Sequence, residues 1–198
     1  MTDEQVSDRI LTIPNLVSFV RLLGIPVFWW LLLGEDNVGA AAVLIFVIGW
    51  TDWIDGYLAR KLNQVSKLGK ALDPVADRLM IASAVVGGLV AGLLPSLIGW
   101  GLIAREVLMG LVTLLLVVRG GGVLEVRYLG KVATFLLYGA IPSFYLAAAG
   151  FLEAFMSAAG WVAGIVGLVL YWWVALQYMS DARRVLAAVK SPADAEES

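Results

Sequence analysis

Four aspartates in residues 51–79, TDWIDGYLARKLNQVSKLGKALDPVADRL, have the spacing of a carboxylate cluster. Asp52 and Asp55 lie three positions apart and Asp73 and Asp77 four positions apart, so on helices each pair would share one face. Four neighbouring carboxylates repel one another, and a bound divalent cation removes the need for them to take up protons. Carboxylate oxygens suit hard cations, and Mg²⁺ is often shared between protein carboxylates and substrate phosphates. The spacing therefore predicts a metal site.

Gly56 and Arg60 extend this pattern toward a phosphate-bearing ligand. Gly56 lies one turn after Asp52, and a residue without a side chain lets a nucleotide or a neighbouring helix approach the backbone. Arg60, one further turn along, could bind a phosphate or pair with an aspartate. The alternative is a structural salt-bridge network, in which Asp77 and Asp52 each pair with an arginine. Two functions suit charged groups in apolar segments: transfer at a lipid-linked diphosphate, and ion or proton transport.

The composition of the chain limits the chemistry of this cluster. Of the 198 residues, 61% are hydrophobic, against about 45–50% in soluble domains, which indicates an integral membrane protein. The chain has neither cysteine nor histidine, so thiolate metal sites and imidazole bases are excluded, and a general base must be a carboxylate, lysine or tyrosine. The net charge of −2 gives no reason to expect a nucleic-acid partner.

Six apolar stretches approach the roughly 20 residues of helix that cross a bilayer core. They predict an all-α, polytopic membrane protein with six transmembrane helices in one bundle. Lysine and arginine are concentrated in alternate connections, which predicts both termini and the aspartate stretch on the cytoplasmic face of the cell membrane. The predicted spans are Asn15–Leu33, Ala40–Arg60, Asp73–Leu94, Leu97–Val118, Tyr128–Gly150 and Ala158–Met179.

These spans form a single predicted membrane domain, residues 1–182, followed by a polar cytoplasmic tail, residues 183–198. The N-terminal segment MTDEQVSDR has neither the basic start nor the small-residue cleavage site of a secretory signal, so we expect the first apolar segment to be retained. Gly160 and Gly164 form a GxxxG motif. It could face a second copy of the chain or allow close packing within one bundle.

The aspartate stretch also resembles the signature of a known family, the CDP-alcohol phosphotransferases (CDP-alcohol phosphatidyltransferases). The matching residues are Asp52-x-x-Asp55-Gly56-x-x-Ala59-Arg60, then eight residues, then Gly69-x-x-x-Asp73-x-x-x-Asp77. The segment IPNLVSFVR, the Asp-Pro of LDPVAD, Ala104-Arg105-Glu106 and Gly130-Lys131 resemble the glycerophospholipid branch of that family. The resemblance covers nearly the whole predicted six-span core.

The resemblance implies transfer of a phosphatidyl group from CDP-diacylglycerol, with two Mg²⁺ or Mn²⁺ ions, by a homodimeric enzyme. Asp52, Asp55 and Asp73 match the family's metal ligands, and Asp77 matches the general base on the acceptor hydroxyl and completes the predicted metal site. The acceptor hydroxyl would attack the phosphorus attached to diacylglycerol, and CMP would leave. The positions that match the family's CDP-binding residues are Asp52, Gly56, Ala59, Arg60 and Gly69.

The acceptor has to be inferred from cations outside the signature, and the candidate ligands are Arg105, Lys131 and Arg127. Relatives that use glycerol 3-phosphate typically carry a second arginine two turns after the position of Arg105, where this chain has Thr113. A dianionic phosphate should require more than one cation, so a less charged acceptor is favoured. The segment VRYLGKVATF resembles that of actinobacterial cardiolipin synthases. We expect phosphatidylglycerol as the acceptor, with glycerol 3-phosphate and then inositol phosphate as alternatives.

Alternatives for two side chains and for the function remain open on the sequence. Arg21, inside the first predicted span, could extend its guanidinium to the interface or pair with an aspartate, and Lys131 could also extend to the interface. A cation-coupled transporter is the alternative function, although a cation path has no need of the signature's glycine, alanine and arginine. A catalytically inactive lipid-binding protein is a second alternative function, and the intact signature does not support it.

Overall fold

Helices account for nearly all of the chain that the computed structural model describes, namely residues 13–48, 67–120 and 128–190. No strand occurs in those ranges, so the all-α prediction is confirmed for them. A single π-helical turn, Trp30–Gly34, follows the first helix. The helices are α1 Ile13–Trp29, α2 Val38–Ile48 as far as it is described, α3 Lys67–Val90, α4 Ser96–Val118, α5 Tyr128–Ala148 and α6 Glu153–Lys190.

Three of these helices are long and apolar enough to cross a membrane: α4, α5 and the Glu153–Leu186 part of α6. Two shorter apolar helices, Ser18–Gly34 and Val38–Ile48, correspond to the first predicted span and to the start of the second. The described helices thus indicate a membrane protein. The number of crossings and the side on which the termini lie stay predictions.

The outer face of α4 shows how apolar the surface is. Val107, Leu111, Leu114 and Val118 are between 58% and 74% exposed, and they recur at the three- and four-residue steps of one helix face. An apolar face of this size in contact with water would be costly. Contact with lipid tails removes the cost, because lipid is as apolar as these side chains.

The predicted bounds of two helices were wrong at their polar ends. α3 begins at Lys67, so the second half of the stretch between the predicted spans Ala40–Arg60 and Asp73–Leu94 is helical. α6 begins at Glu153 rather than Ala158 and continues to Lys190 rather than Met179. Hydropathy marks the part of a helix that contacts lipid, whereas lysine, arginine and glutamate favour helix as strongly as leucine does. The polar helical turns beyond each apolar stretch were therefore not predicted.

Glycine ends α3 in a backbone conformation that other residues adopt at a cost. Gly92 has a φ of +70°, in the left-handed region that glycine enters freely. The N–H of Leu93 donates to the carbonyl of Gly88 at 2.8 Å, and the N–H of Gly92 donates to the carbonyl of Leu89 at 3.3 Å. This Schellman arrangement supplies donors to the last carbonyls of the helix. Gly150, with a φ of +79°, ends α5 in the same way.

The chain forms two compact units, and the first comprises the described residues up to Pro95 together with Ile141–Gly160. In it, α1 packs against α3, and Tyr145 of α5 is completely buried. The Tyr145 hydroxyl donates to the carbonyl of Ala84 on α3 at 2.7 Å, and its ring lies 6.0 Å from that of Phe28 on α1. A buried tyrosine needs a hydrogen-bond partner, so this side chain connects three helices.

The second unit comprises Ser96–Ala140 and the chain from Trp161 onward, and glycines on α6 let its helices approach closely. A Cβ added to Gly164 would lie 2.6 Å from Cδ1 of Ile98 on α4. In the first unit, a Cβ added to Gly160 would lie 3.1 Å from the ring of Phe144. Side chains of this same chain therefore fill the space at both glycines of the GxxxG motif. The alternative of close packing within the chain is confirmed, and the homodimer stays a prediction.

Gly88→Ala is expected to destabilise the first unit. An added Cβ would lie 2.9 Å from Cβ of Leu94 and 3.1 Å from the hydroxyl of Tyr145, so the hydrogen bond of Tyr145 would be disturbed. Overpacking of this kind costs about 1–3 kcal/mol. Circular dichroism of the purified protein in detergent should show a lower unfolding midpoint.

Gly110→Ala is the matched control, because an added Cβ there meets nothing within 4 Å. Alanine favours a helix interior over glycine by up to about 1 kcal/mol, so the midpoint should stay the same or rise. Equal losses of stability in the two variants would contradict the packing described around Gly88.

Candidate functional site

The first turns of α3 carry three of the predicted site positions. Gly69, Asp73 and Asp77 follow one another at four-residue steps within the continuous helix Lys67–Val90, so they occupy one stripe of the helix. The predicted helical spacing of Asp73 and Asp77 is confirmed. The side chain of Asp77 is described and is partly buried, whereas that of Asp73 lies outside what the structure describes.

The remaining signature positions, and one acceptor candidate, fall outside the described residues. Among the side chains that are described, no group of three carboxylates forms a metal site, and Asp77 is the one signature aspartate in that set. The four-carboxylate cluster therefore stays a prediction. The positions outside are Asp52, Asp55, Gly56, Ala59, Arg60 and Arg127.

Asp77 continues the buried face of α3. Ala84 and Gly88, two and three turns further along the same side, pack against Tyr145. Ala76 and Met80, which flank Asp77 on the helix, are also buried. The face of α3 that forms the core of the first unit thus also carries Asp77, whose side chain is partly buried.

Arg21 is a buried charged side chain on the face of α1 that packs against α3. It is 4% exposed, and Ser18, one turn earlier, is 2% exposed. Phe28, two turns later on the same face, lies against the position of Gly87 on α3. A guanidinium that extended to the interface would be accessible, so burial argues against that alternative. Arg21 also has an interaction partner within the chain, as a charge among apolar helices requires.

Arg105 lies in the second unit, where two neighbours hold it. Its guanidinium carbon is 3.7 Å from the centroid of the Tyr171 ring on α6, and its NH1 donates to Oε1 of Glu106 at 2.9 Å. The hydroxyl of Tyr171 donates to the same Glu106 oxygen. The Arg105 side chain is 12% exposed, and its Nε is buried with no hydrogen-bond partner among the described residues.

Sequence reasoning missed Tyr171. A tyrosine in an apolar segment is expected either in the core or at the membrane interface, and neither expectation identifies a partner. The link to Arg105 depends on α4 and α6 being neighbours, which no local pattern reveals. The signal that was available is the burial cost of Arg105 inside a predicted span, which demands a compensating partner nearby.

The other acceptor candidates have less structural support. Lys131, on the first turn of α5, and Thr113, two turns after Arg105, are both exposed. Arg105 is therefore the candidate whose side chain the structure holds in a defined position.

The family model of CDP-alcohol phosphatidyltransferases matches residues 11–180 of the chain. The chain belongs to this family and is a phosphatidyltransferase, as the signature predicts. It is 39% identical over 188 residues to the cardiolipin synthase (CMP-forming) of Streptomyces coelicolor, covering 92% of this chain and 87% of that protein. It is 34% identical over 137 residues to the CDP-diacylglycerol–glycerol-3-phosphate 3-phosphatidyltransferase of Bacillus subtilis, covering 62% of this chain and 70% of that protein.

Arg21→Leu is expected to lower the stability of the protein substantially. Arg21 is buried and has a partner within the chain, and breaking a buried charged interaction by removing one member costs about 3–5 kcal/mol. The measurement is the thermal unfolding midpoint in detergent. Arg183→Leu, at an exposed position on α6, is the control and should change the midpoint little. If the two variants unfolded at the same temperature, Arg21 would not be the buried, partnered charge described above.

Proposed function

We propose that this enzyme transfers the phosphatidyl group of CDP-diacylglycerol to the free glycerol hydroxyl of phosphatidylglycerol, forming cardiolipin and releasing CMP. The observation that carries the proposal is the 39% identity to a cardiolipin synthase over 92% of this chain. Thr113 favours the same acceptor, because it does not supply the additional positive charge that a dianionic phosphate requires. Glycerol 3-phosphate is the second candidate, since the Bacillus subtilis relative acts on it by name.

Asp77 is the general base of the proposed reaction. It lies on the core-forming face of α3 and is partly buried, so a rigid helix positions its carboxylate. It takes the proton of the acceptor hydroxyl while the hydroxyl oxygen bonds to the phosphorus that carries diacylglycerol. The bond between that phosphorus and the bridging oxygen breaks, and CMP leaves. With no cysteine or histidine in the chain, few side chains could form a covalent intermediate, so the transfer is direct.

Four carboxylates would hold two Mg²⁺ or Mn²⁺ ions: Asp52, Asp55, Asp73 and Asp77. The fit rests on two observations: Asp73 and Asp77 lie four positions apart on one helix, and an oxygen-only donor set suits these hard cations. When bound, such ions stabilise the charge on the diphosphate and on the leaving phosphate. The nucleotide would be bound by Asp52, Gly56, Ala59, Arg60 and Gly69, and the acceptor by Arg105, Lys131 and Arg127.

The proposed setting is the cytoplasmic membrane, with the active site facing the cytoplasm. Three long apolar helices and the alternation of basic connections in the sequence support it. The six-span domain of residues 1–182, the cytoplasmic tail of residues 183–198 and a homodimeric assembly complete the proposal. A cation-coupled transporter is not favoured, because family membership explains the signature residues that a cation path would not need.

An acceptor panel tests this function directly. Purified protein, CDP-diacylglycerol and Mg²⁺ or Mn²⁺ are incubated separately with phosphatidylglycerol, glycerol 3-phosphate and inositol phosphate, and CMP release is measured. We expect release with phosphatidylglycerol, cardiolipin as the lipid product, and loss of both when the metal is chelated. Release with glycerol 3-phosphate alone would establish the second candidate instead. Absence of CMP with every acceptor and metal would rule out phosphatidyl transfer.

Asp77→Asn is expected to lower turnover by about 10²–10⁴-fold, because an amide cannot take the hydroxyl proton. Binding of CDP-diacylglycerol, measured as a rise in the unfolding midpoint, should persist. Asp36→Asn is the control. Asp36 lies in a connection and has a φ of +51°, a conformation that asparagine tolerates, so turnover should not change. Turnover near that of the unmodified enzyme in Asp77→Asn would refute the assignment of the base.

A further inference from the structure

The exposed face of α6 forms one stripe that changes from apolar to basic along the helix. Its apolar residues are between 55% and 66% exposed, and they are Val162, Val169, Trp173 and Leu176. They follow one another at the three-, four- and seven-residue steps that keep side chains on one helix face. Ser180, Arg183 and Arg184 continue these steps and are exposed as well. These seven residues are called the outer stripe of α6.

The opposite face of α6 packs against other helices of the second unit. Val174 is completely buried, and Ala182 is 4% exposed. A Cβ added to Gly167 would lie 2.9 Å from Cγ of Leu137 on α5. This close packing determines which face of α6 is turned outward, so the outer stripe, including its two arginines, is a fixed feature of the surface.

Distances along α6 place the two arginines at the level of lipid headgroups. An α-helix rises about 1.5 Å per residue, so Arg183 lies roughly 10 Å beyond Leu176, where the apolar part of the stripe ends. Headgroups occupy roughly 5–7 Å on either side of the hydrocarbon core. Side chains on a helix lean toward its N-terminus, which here is the direction of the apolar part. Both guanidinium groups can therefore reach back to lipid phosphates.

The charge at this end of the stripe favours an anionic partner. Arginine donates parallel N–H groups to phosphate oxygens, and Arg183 and Arg184 are adjacent. The nearest acid along α6, Asp181, is less exposed than either arginine and has an interaction of its own within the chain. A second copy of the chain is a poorer partner. A two-fold dimer formed through this face would bring the arginine pairs of both copies together.

We propose that the outer stripe of α6 binds an anionic phospholipid, with acyl chains along Val169, Trp173 and Leu176 and the phosphate group at Arg183 and Arg184. The stripe combines the two chemistries of such a lipid in the order in which the lipid presents them. A neutral headgroup would gain the apolar contact alone. The preference for an anionic headgroup is electrostatic, so added salt should weaken it.

Fluorescence quenching at Trp173 tests the inference. The full chain is reconstituted into vesicles of phosphatidylcholine and phosphatidylserine, with brominated acyl chains on one lipid and then on the other. Because the chain has eight tryptophans, the signal of Trp173 is the difference between the unmodified protein and Trp173→Phe. We expect phosphatidylserine to quench Trp173 beyond its mole fraction. Arg183→Gln and Arg184→Gln should each lower this preference about fivefold.

Three variants serve as controls for charge and position. Arg183→Lys and Arg184→Lys keep the charge and should keep most of the preference. Arg119→Gln removes an exposed cation at the end of α4, away from the outer stripe, and should leave the preference at Trp173 unchanged. If either glutamine variant fails to fold, as judged by circular dichroism, the other decides by the same measurement.

Two results would overturn the inference. One is quenching in proportion to mole fraction in the unmodified protein, or an equal preference in both glutamine variants. The other is the absence of quenching at Trp173 by either lipid, which would show that a protein surface, such as a second copy of the chain, covers the stripe. The vesicles contain neither CDP-diacylglycerol nor metal, so these results are independent of the proposed function.

Discussion

Charged side chains among apolar helices have to find their counterparts inside the protein, because lipid offers none. Each unit of this chain meets that requirement in its own way. In the first unit, Arg21 is buried on the face of α1 that packs against α3. In the second, Arg105 is held by the carboxylate of Glu106 and the ring of Tyr171. In the second unit, Gly101 lets α4 and α6 approach closely one turn before Arg105.

The same constraint gives the aspartate signature its chemical meaning. The stripe of α3 that carries Asp77 continues into the packed core around Tyr145. In a chain without histidine or cysteine, carboxylates suit hard metal ions and a carboxylate, lysine or tyrosine can serve as the base. The proposed division of roles among four aspartates would supply both.

The sequence predicts most reliably what depends on local periodicity. The helical spacing of Asp73 and Asp77 and the signature are local, and both that spacing and the family that the signature predicts were confirmed. The polar ends of α3 and α6 were missed because hydropathy identifies the residues that contact lipid and carries no information about polar helical turns beyond them. The pairing of Arg105 with Tyr171 was missed because it depends on which helices are neighbours. The GxxxG motif was ambiguous for the same reason, since only the fold shows that Phe144 and Ile98 fill the space beside its glycines.

The apolar outer face of α4, formed by residues such as Leu111 and Leu114, has a kinetic consequence. If both donor and acceptor are diacyl lipids, they reach the enzyme by lateral diffusion in the same two-dimensional solvent that covers this face. The effective substrate concentration is then a mole fraction of the membrane and does not depend on the volume of the suspension. Of the species in the proposed reaction, CMP alone would leave for the bulk phase, and its dilution there would draw the transfer toward product.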